Sequence, residues 1–195
     1  MYSFADGSLG LGTALFHQHY EDDPNNFGLC VADLSWLSES VSAASELKLQ
    51  VEHAQHLSPG AHLKFGKFSI SVSMQPEKLL DDAYYAMKKL GEKHSRRSYN
   101  LRSLVGNGSV VALGSNWPVS LSNTFSSALR ECPCFWIHTY TSSAVYAAAL
   151  EDLVGSLMPG KFADFVVLPE SPFGQGTGIF PRVVTFVGGN IAFLS

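Results

Sequence analysis

Charged residues are scarce in this chain of 195 residues. Lys, Arg, Asp and Glu make up 15% of it, against about 25% in an ordinary soluble domain, whereas hydrophobic residues make up 46%. So little charge requires either very efficient burial of the apolar side chains or a partner that covers them. Of these two, we favour the covering partner.

Long apolar runs and basic blocks are also missing. The longest apolar run covers residues 144–150, far below the roughly 20 residues that a membrane span needs. Met1 is followed by neither a cationic start nor an apolar segment, so we expect no signal peptide and a cytoplasmic location. The net charge is −4, and the basic doublets at 88–89 and 96–97 lie among acids. This pattern predicts a solvated helix face and no nucleic-acid partner.

Cysteines are few, and their spacing suits no disulfide framework. The three are Cys30, Cys132 and Cys134, an odd number that favours free thiols in a reducing compartment. A lone Cys-x-Cys pair at 132–134 is a weak signal for half of a metal site.

Hydrophobic periodicity predicts alternating strands and helices. Spacings of three and four residues indicate helices at 32–47 and 81–90. An alanine-rich run with Thr141 as its expected cap indicates a helix at 141–150, and residues 58–68 indicate a short helix or turn after Ser-Pro-Gly. Alternation or β-branched runs indicate strands at 47–52, 68–75 and 110–113, and a hairpin at 183–193 with a left-handed Gly turn. Asp33 or Ser35 is the expected cap of the first helix, and Asp81 and Asp82 are expected at the N-terminal end of the second.

Two polar residues follow predicted strands directly. His53 comes at the end of the strand at 47–52, and Asn116 follows the strand at 110–113 after a Gly-Ser turn. A strand that ends in a short polar side chain is typical of one whose last residue faces a pocket. A lone histidine is more often a core residue bonded to backbone, so the spacing alone leaves the role of His53 open.

Five motifs carry a resemblance to a known family. They are Phe-Ala-Asp-Gly-Ser-Leu-Gly at 4–10, Val-Glu-His-Ala-Gln at 51–55, Gln-Pro at 75–76, Gly-Ser-Asn-Trp-Pro at 114–118 and Gly-Ser-Leu-x-x-Gly-Lys-x-Ala-Asp-Phe-Val at 155–166. In this order they resemble the amidohydrolase 3 group of the metal-dependent amidohydrolases. That resemblance implies an α/β fold: the C-terminal half of a TIM-like (β/α)8 barrel in residues 1–152, and a small β-sandwich segment in residues 153–195.

The resemblance also implies an incomplete barrel. Within residues 1–12, a strand-like tetrad and a Gly-rich turn would match the family's fourth-strand motif, and residues 98–105 would be the helix before the eighth strand. The chain runs from Leu-Gln-Val at 49–51 straight into the sixth-strand motif. The fifth-strand His-Ala-x-Gly-Asp and its helix are missing in between. The chain is shorter than the roughly 250 residues of a complete barrel. Four strands cannot close on themselves, so we expect an oligomer or a partner chain over the open edge.

The family's metal site is depleted in this sequence. The resemblance makes His53 the sixth-strand ligand of zinc or another divalent ion, and it places Asn116 where the family has a catalytic Asp. Tyr2 stands where the family has a Lys that can bridge two metals as a carbamate. A neutral carboxamide cannot take up a proton at working pH. His17 and His19 precede an Asp/Pro/Asn-rich loop, which argues against a ligand pair.

Three functions follow as expectations. The first is an amidohydrolase-like protein descended from hydrolases of non-peptide C–N bonds and catalytically impaired as this chain. The second is an active metal-dependent hydrolase of a small amide-type substrate, with rearranged ligands (His56, His62 and His94 lie near His53 in sequence) or completed by a second chain. The third is a non-catalytic binding or regulatory module that uses the apolar face.

Overall fold

The computed structural model describes residues 4–43, 48–118, 133–173 and 183–194. These residues form an α/β fold, and no helix within them is long and apolar enough to cross a membrane. The helices are α1 (Leu34–Ala43), α2 (Ala61–Lys67), α3 (Glu77–Ala83), α4 (Ala86–Ser95), α5 (Leu101–Gly106), α6 (Pro133–Tyr140) and α7 (Ser142–Ala147). The strands are β1 (Gln50–Glu52), β2 (Ser71–Met74), β3 (Val111–Leu113), β4 (Phe165–Val167), β5 (Val184–Val187) and β6 (Asn190–Leu194).

The first sheet is parallel and has β2 in its centre. Its strand order is β1-β2-β3, with Val51 beside Val72 and Val72 beside Val111. Helix α2 connects β1 to β2, and α3 to α5 connect β2 to β3, which are the helical crossovers that parallel pairing requires. The three strand predictions at 47–52, 68–75 and 110–113 are therefore confirmed in kind, with shorter bounds.

The main core lies on one face of this sheet. Alternate strand residues point to the same face, and the buried cluster consists of Val72, Met74, Leu104, Val111 and Leu113. Leu104 comes from α5 and is fully buried. Aromatic side chains of α2 and α6 pack against the cluster as well. Helices thus cover this face of the sheet.

Strand β2 begins three residues later than its alternation predicts. The Phe68 amide still donates to the Lys64 carbonyl of α2, and Ser69 adopts a left-handed conformation with φ 53°. Phe68 is 63% exposed. The chain is therefore still leaving the helix at Phe68, so this residue cannot join the strand face.

The predicted helix at 81–90 is wrong in its bounds. The structure has α3 immediately after Pro76, then a break at residues 84–85, then α4. Gly91 is non-helical inside α4, with φ 67°. Asp82 consequently lies near the C-terminal end of α3, where it is buried, and not at the start of a helix.

The expected cap of α1 is present, whereas the cap expected from Thr141 at α7 is absent. The Asp33 carboxylate accepts a hydrogen bond from the Trp36 amide at 2.9 Å, which is N-cap geometry for α1. Thr141 precedes α7 but makes no such bond, because its hydroxyl donates to the Ile137 carbonyl of α6 at 2.6 Å. Helix α6 itself was not predicted. The predicted start of α1 at residue 32 is close, and residues 44–47 lie outside the described part of the chain.

The N-terminal segment forms turns in the region that matches the family's fourth-strand motif. Residues 1–3, including Tyr2, lie outside the described residues, and within 4–12 the ladder is limited to one bridge from Asp6 to Cys30. The Asp6 carboxylate accepts the Leu15 amide at 2.9 Å, which holds the segment in a turn. Leu9 and Tyr20 then pack against α4 in a second buried cluster. The expected Gly-rich turn is therefore present at residues 9–12, and the strand-like tetrad before it, residues 1–4, stays a prediction because all but Phe4 lies outside the described residues.

The C-terminal residues form an antiparallel sheet in the order β4-β5-β6. The predicted hairpin at 183–193 is confirmed, and it turns at Gly188 and Gly189, with φ 57° and 80°. These positive φ values are where glycine is the default residue. A second layer that would make a β-sandwich is not seen among the described residues, and the division of the chain at residue 152 stays a prediction.

Candidate functional site at the carboxyl edge of the parallel sheet

Three parallel strands end at the same edge and bring three loops together. His53 follows β1, Gln75 follows β2, and residues 114–116 follow β3. The His53 amide donates to the Ser73 carbonyl at 2.7 Å, and the Gly114 amide donates to the Met74 carbonyl at 3.1 Å. In open α/β sheets, ligands bind outside the carboxyl ends of the strands. This edge is therefore the candidate site.

The chain turns sharply at His53. Both His53 and Ala54 have positive φ angles, 69° and 39°, which side chains other than glycine adopt only at a cost. Backbone hydrogen bonds hold this turn: the Ala54 amide donates to the Glu52 carbonyl at 2.9 Å, and the Tyr99 amide donates to the Gln55 carbonyl at 2.7 Å. Residues in such strained conformations cluster at functional sites.

The turn brings the His53 imidazole to Gln75. The His53 Nδ1 lies 2.5 Å from the Gln75 Oε1, and the Gln75 Nε2 donates to the Ser73 hydroxyl at 3.5 Å. Gln75 is 3% exposed, whereas His53 itself is exposed. In the sequence, Gln75 stands out only as part of the Gln-Pro motif at the end of a strand, and no role in the site was predicted for it. Its position directly after β2, matching that of His53 after β1, is the signal that would have identified it.

Asn116 lies at the exposed end of the β3 loop. Its φ is 57°, a left-handed conformation that Asn and Asp tolerate better than most residues. The peptide bond between Trp117 and Pro118 is cis, and Trp117 is 72% exposed. A carboxamide at this position can donate and accept hydrogen bonds but cannot act as a general base.

The donor set at this edge does not fit a hydrolytic metal centre. His53 and Asn116 follow β1 and β3, and these two strands lie two strand spacings apart, about 10 Å. His53 offers one imidazole, and Gln75 and Asn116 offer neutral carboxamides, whereas catalytic zinc is typically held by three His, Cys or carboxylate ligands. Within the ranges that the structure describes, no three His, Cys, Asp or Glu side chains come together as such a group.

His56 does not join His53 at this edge. Its Nδ1 lies 2.8 Å from the Ser98 hydroxyl, and its Nε2 lies 3.7 Å from the Asp82 Oδ2. The Asp82 carboxylate also accepts the hydroxyl of Tyr85 at 2.7 Å and that of Tyr99 at 2.6 Å. His56 is therefore part of a buried cluster that ties the loop after β1 to α3.

Burial controls the ionisation of His56. Loss of solvent lowers its pKa below the ordinary value, and the Asp82 and Asp6 carboxylates oppose that shift only in part. The His56 Nε2 is buried without a hydrogen-bond partner. A neutral imidazole is the form that this environment favours.

The remaining candidate ligands lie elsewhere. His19 Nδ1 contacts the Tyr20 carbonyl at 2.7 Å, and His17 and His19 are exposed in a turn before the loop. Cys30 and Cys134 are exposed free thiols, and Cys132 lies outside the described residues. Helix α4 carries His94, whose pKa is lowered by partial burial and by Arg97 and Lys93.

Comparison with curated proteins gives two relatives of greater length. No protein-family model matches the chain. It is 36% identical to Protein LONG AFTER FAR-RED 3 of Arabidopsis thaliana, over 96% of this chain and 41% of the relative. It is 25% identical to the putative amidohydrolase YtcJ of Bacillus subtilis, over 89% of this chain and 42% of that protein. The chain thus spans about two-fifths of each relative.

Two solved structures of metal-dependent hydrolases have folds similar to that of this chain. An uncharacterized metal-dependent hydrolase from Pyrococcus horikoshii has a TM-score of 0.74 at 19% identity, with 87% of this chain and 44% of that one covered. Its counterpart from Pyrococcus furiosus has a TM-score of 0.71 at 20% identity, over 81% and 41%. At this level of identity the likeness shows a shared fold. The fold of this chain thus corresponds to part of each of these longer chains.

Proposed function

We propose that this chain is an amidohydrolase-like protein, descended from metal-dependent hydrolases of non-peptide C–N bonds, that is catalytically impaired as it stands. The observation that carries the proposal is that, among the residues the structure describes, no three His, Cys, Asp or Glu side chains come together to hold an ion, and the positions that match the family's sites are one imidazole, His53, and one carboxamide, Asn116. Hydrolysis with a metal-bound water needs an ion held by several ligands and a base in reach. Losing the general base alone typically costs about 100- to 10,000-fold in rate.

The alignment with the Arabidopsis relative supports an internal loss. It runs over 241 residues, although this chain has only 195. The relative therefore contains stretches that have no counterpart here. Such unmatched stretches are what the loss of the fifth-strand motif after Leu-Gln-Val at 49–51 would leave.

Metal content and hydrolysis test the proposal together. We expect purified protein to retain much less than one zinc per chain after dialysis, with the same content in His53→Ala. We also expect no cleavage of a hydantoin or an N-acyl amide above a chelator-treated sample. The matched control is His17→Ala, which changes an exposed histidine in a turn. About one zinc per chain, lost in His53→Ala but kept in His17→Ala, together with chelator-sensitive cleavage, would overturn it.

A second candidate is a hydrolase completed by another polypeptide. It is favoured by the sheet itself, because no described strand pairs with the outer edge of β1 or of β3, and unpaired strand edges recruit further strands. Co-expression with the part of the Arabidopsis relative outside the matched residues tests it. A stable complex that binds zinc through His53 would favour this candidate over the first.

A further inference from the structure

The imidazole of His53 is held by a single buried side chain. Its Nδ1 lies 2.5 Å from the Gln75 Oε1. A carbonyl oxygen can only accept, so this contact requires the proton on Nδ1. The second ring nitrogen, Nε2, then carries a free electron pair.

Gln75 is itself fixed in this orientation. It is 3% exposed at the end of the central strand, and its Nε2 donates to the Ser73 hydroxyl. The backbone of the same Ser73 accepts the His53 amide at 2.7 Å. Ser73 of β2 thus accepts hydrogen bonds both from the backbone of His53 and from the carboxamide that contacts the His53 ring.

We propose that Gln75 is a positioning residue that holds His53 in the Nδ1–H tautomer, so that the site offers the Nε2 electron pair to whatever binds at the strand ends. The group that this electron pair selects is a hydrogen-bond donor. A fixed tautomer set by the hydrogen bond of the other ring nitrogen is how proteins orient functional histidines.

This inference rests on the proposed function in taking the strand ends as the site, but not on whether a metal binds. The strained backbone supports it. The left-handed turn at His53 and Ala54 is a conformation that costs energy, and it places the ring beside Gln75. Such a cost is retained where the surrounding structure, here two strands and one carboxamide, determines the geometry.

Nitrogen-15 NMR of histidine-labelled protein at neutral pH reports the tautomer of each ring directly. We expect a single Nδ1–H form for His53 in the wild type, a mixture of both tautomers in Gln75→Leu, and recovery of the single form in Gln75→Glu, whose carboxylate keeps an acceptor in place. The control Gln50→Leu removes a carboxamide from β1 that contacts Glu52 and should leave His53 unchanged. The His56 signals should stay constant throughout, because that ring contacts Ser98.

Three outcomes would overturn the inference. A wild-type His53 with its proton on Nε2 would mean that the Gln75 amide donates to the ring. A folded Gln75→Leu with an unchanged single tautomer would mean that another group fixes the ring. A Gln75→Glu spectrum without the Nδ1–H form would exclude the acceptor role. If Gln75→Leu does not fold, the wild-type and Gln75→Glu spectra still test the inference, since both must show the Nδ1–H form of His53. None of these measurements depends on catalytic activity, so they can fail independently of the proposed function.

Discussion

At the scale of single residues, the most consequential group outside the candidate site is Asp82. It is 5% exposed, and its two oxygens accept hydroxyls of Tyr85 and Tyr99, which lie before α4 and before α5. A buried carboxylate is costly unless it is bonded in this way. Asp82 therefore joins three parts of the crossover between β2 and β3.

Replacing Asp82 should destabilise the protein strongly. We expect Asp82→Ala to lower the free energy of unfolding by about 3 kcal/mol, because two buried hydrogen bonds to a charged acceptor are lost. Asp82→Asn should lose less, since it keeps one acceptor oxygen. Urea denaturation measures both, with the exposed Asp152→Ala as the control. Equal stability of Asp82→Ala and Asp152→Ala would contradict this role.

His56 should make the stability of the fold depend on pH. Burial lowers its pKa in the folded state, whereas the unfolded chain has the ordinary value of about 6.5. Below that pH the unfolded state binds more protons, so stability should be constant above about pH 6.5 and fall as the pH drops toward the lower folded pKa. His94 shifts in the same direction.

A comparison of slopes isolates the contribution of His56. Denaturation at several values between about pH 7.5 and about pH 5 should show a smaller loss of stability in His56→Gln than in the wild type. His17→Gln, at an exposed position, should follow the wild-type curve. A His56→Gln curve parallel to that of the wild type would show that His56 is not buried in neutral form.

At the scale of elements, helix α5 contributes one central side chain. Leu104 is fully buried against the strands of the parallel sheet, so Leu104→Ala removes packing that the sheet cannot replace. We expect a loss of about 2–5 kcal/mol in the free energy of unfolding. The matched variant Leu63→Ala lies on α2, where the leucine is 55% exposed, and should change stability by less than about 1 kcal/mol. If both variants lost a similar amount of unfolding free energy, Leu104 would not be a central residue of the core.

The elements also show what the sequence could and could not predict. The strands were predictable because Val51 and Val72 lie in stretches where apolar and polar residues alternate, and Val111 lies in a short apolar run. The break before α4 was not, because its apolar spacing continues through residues 84–85 without Gly or Pro. Helix α6 was missed since Pro133 and the following aromatic residues give no clear helical period.

The candidate site divides in the same way. His53 and Asn116 were singled out because they stand at or just after predicted strand ends and match positions of the family's motifs. The contact between Gln75 and His53 was not predicted, because it depends on the parallel register of β1 and β2 and on the left-handed turn at His53. The tyrosine bonds of Asp82 join residues up to 17 positions apart, and no local pattern records such a contact. Two adjacent acids before an apolar period instead suggested a helix start.

Across the described residues, many large apolar side chains are exposed to solvent. On the second sheet, Val187, Ile191, Phe193 and Leu194 are each more than half exposed. The parallel sheet leaves the outer edges of β1 and β3 unpaired among the described strands. Monomeric proteins rarely expose large contiguous apolar patches, and open strand edges promote association. The relatives, of which this chain spans about two-fifths, have additional chain that is available to cover such surface.

The isolated chain should therefore self-associate. We expect light scattering after size-exclusion chromatography to show a mass that rises with protein concentration and with added ammonium sulfate, because excluded salts strengthen apolar burial. Phe193→Lys places a charge on the exposed sheet and should shift the distribution toward monomer. The control is Glu39→Lys, at an exposed position of α1, because it changes the charge without removing apolar surface. A monomer that stays monodisperse at every concentration and melts cooperatively would mean that the exposed side chains need no partner.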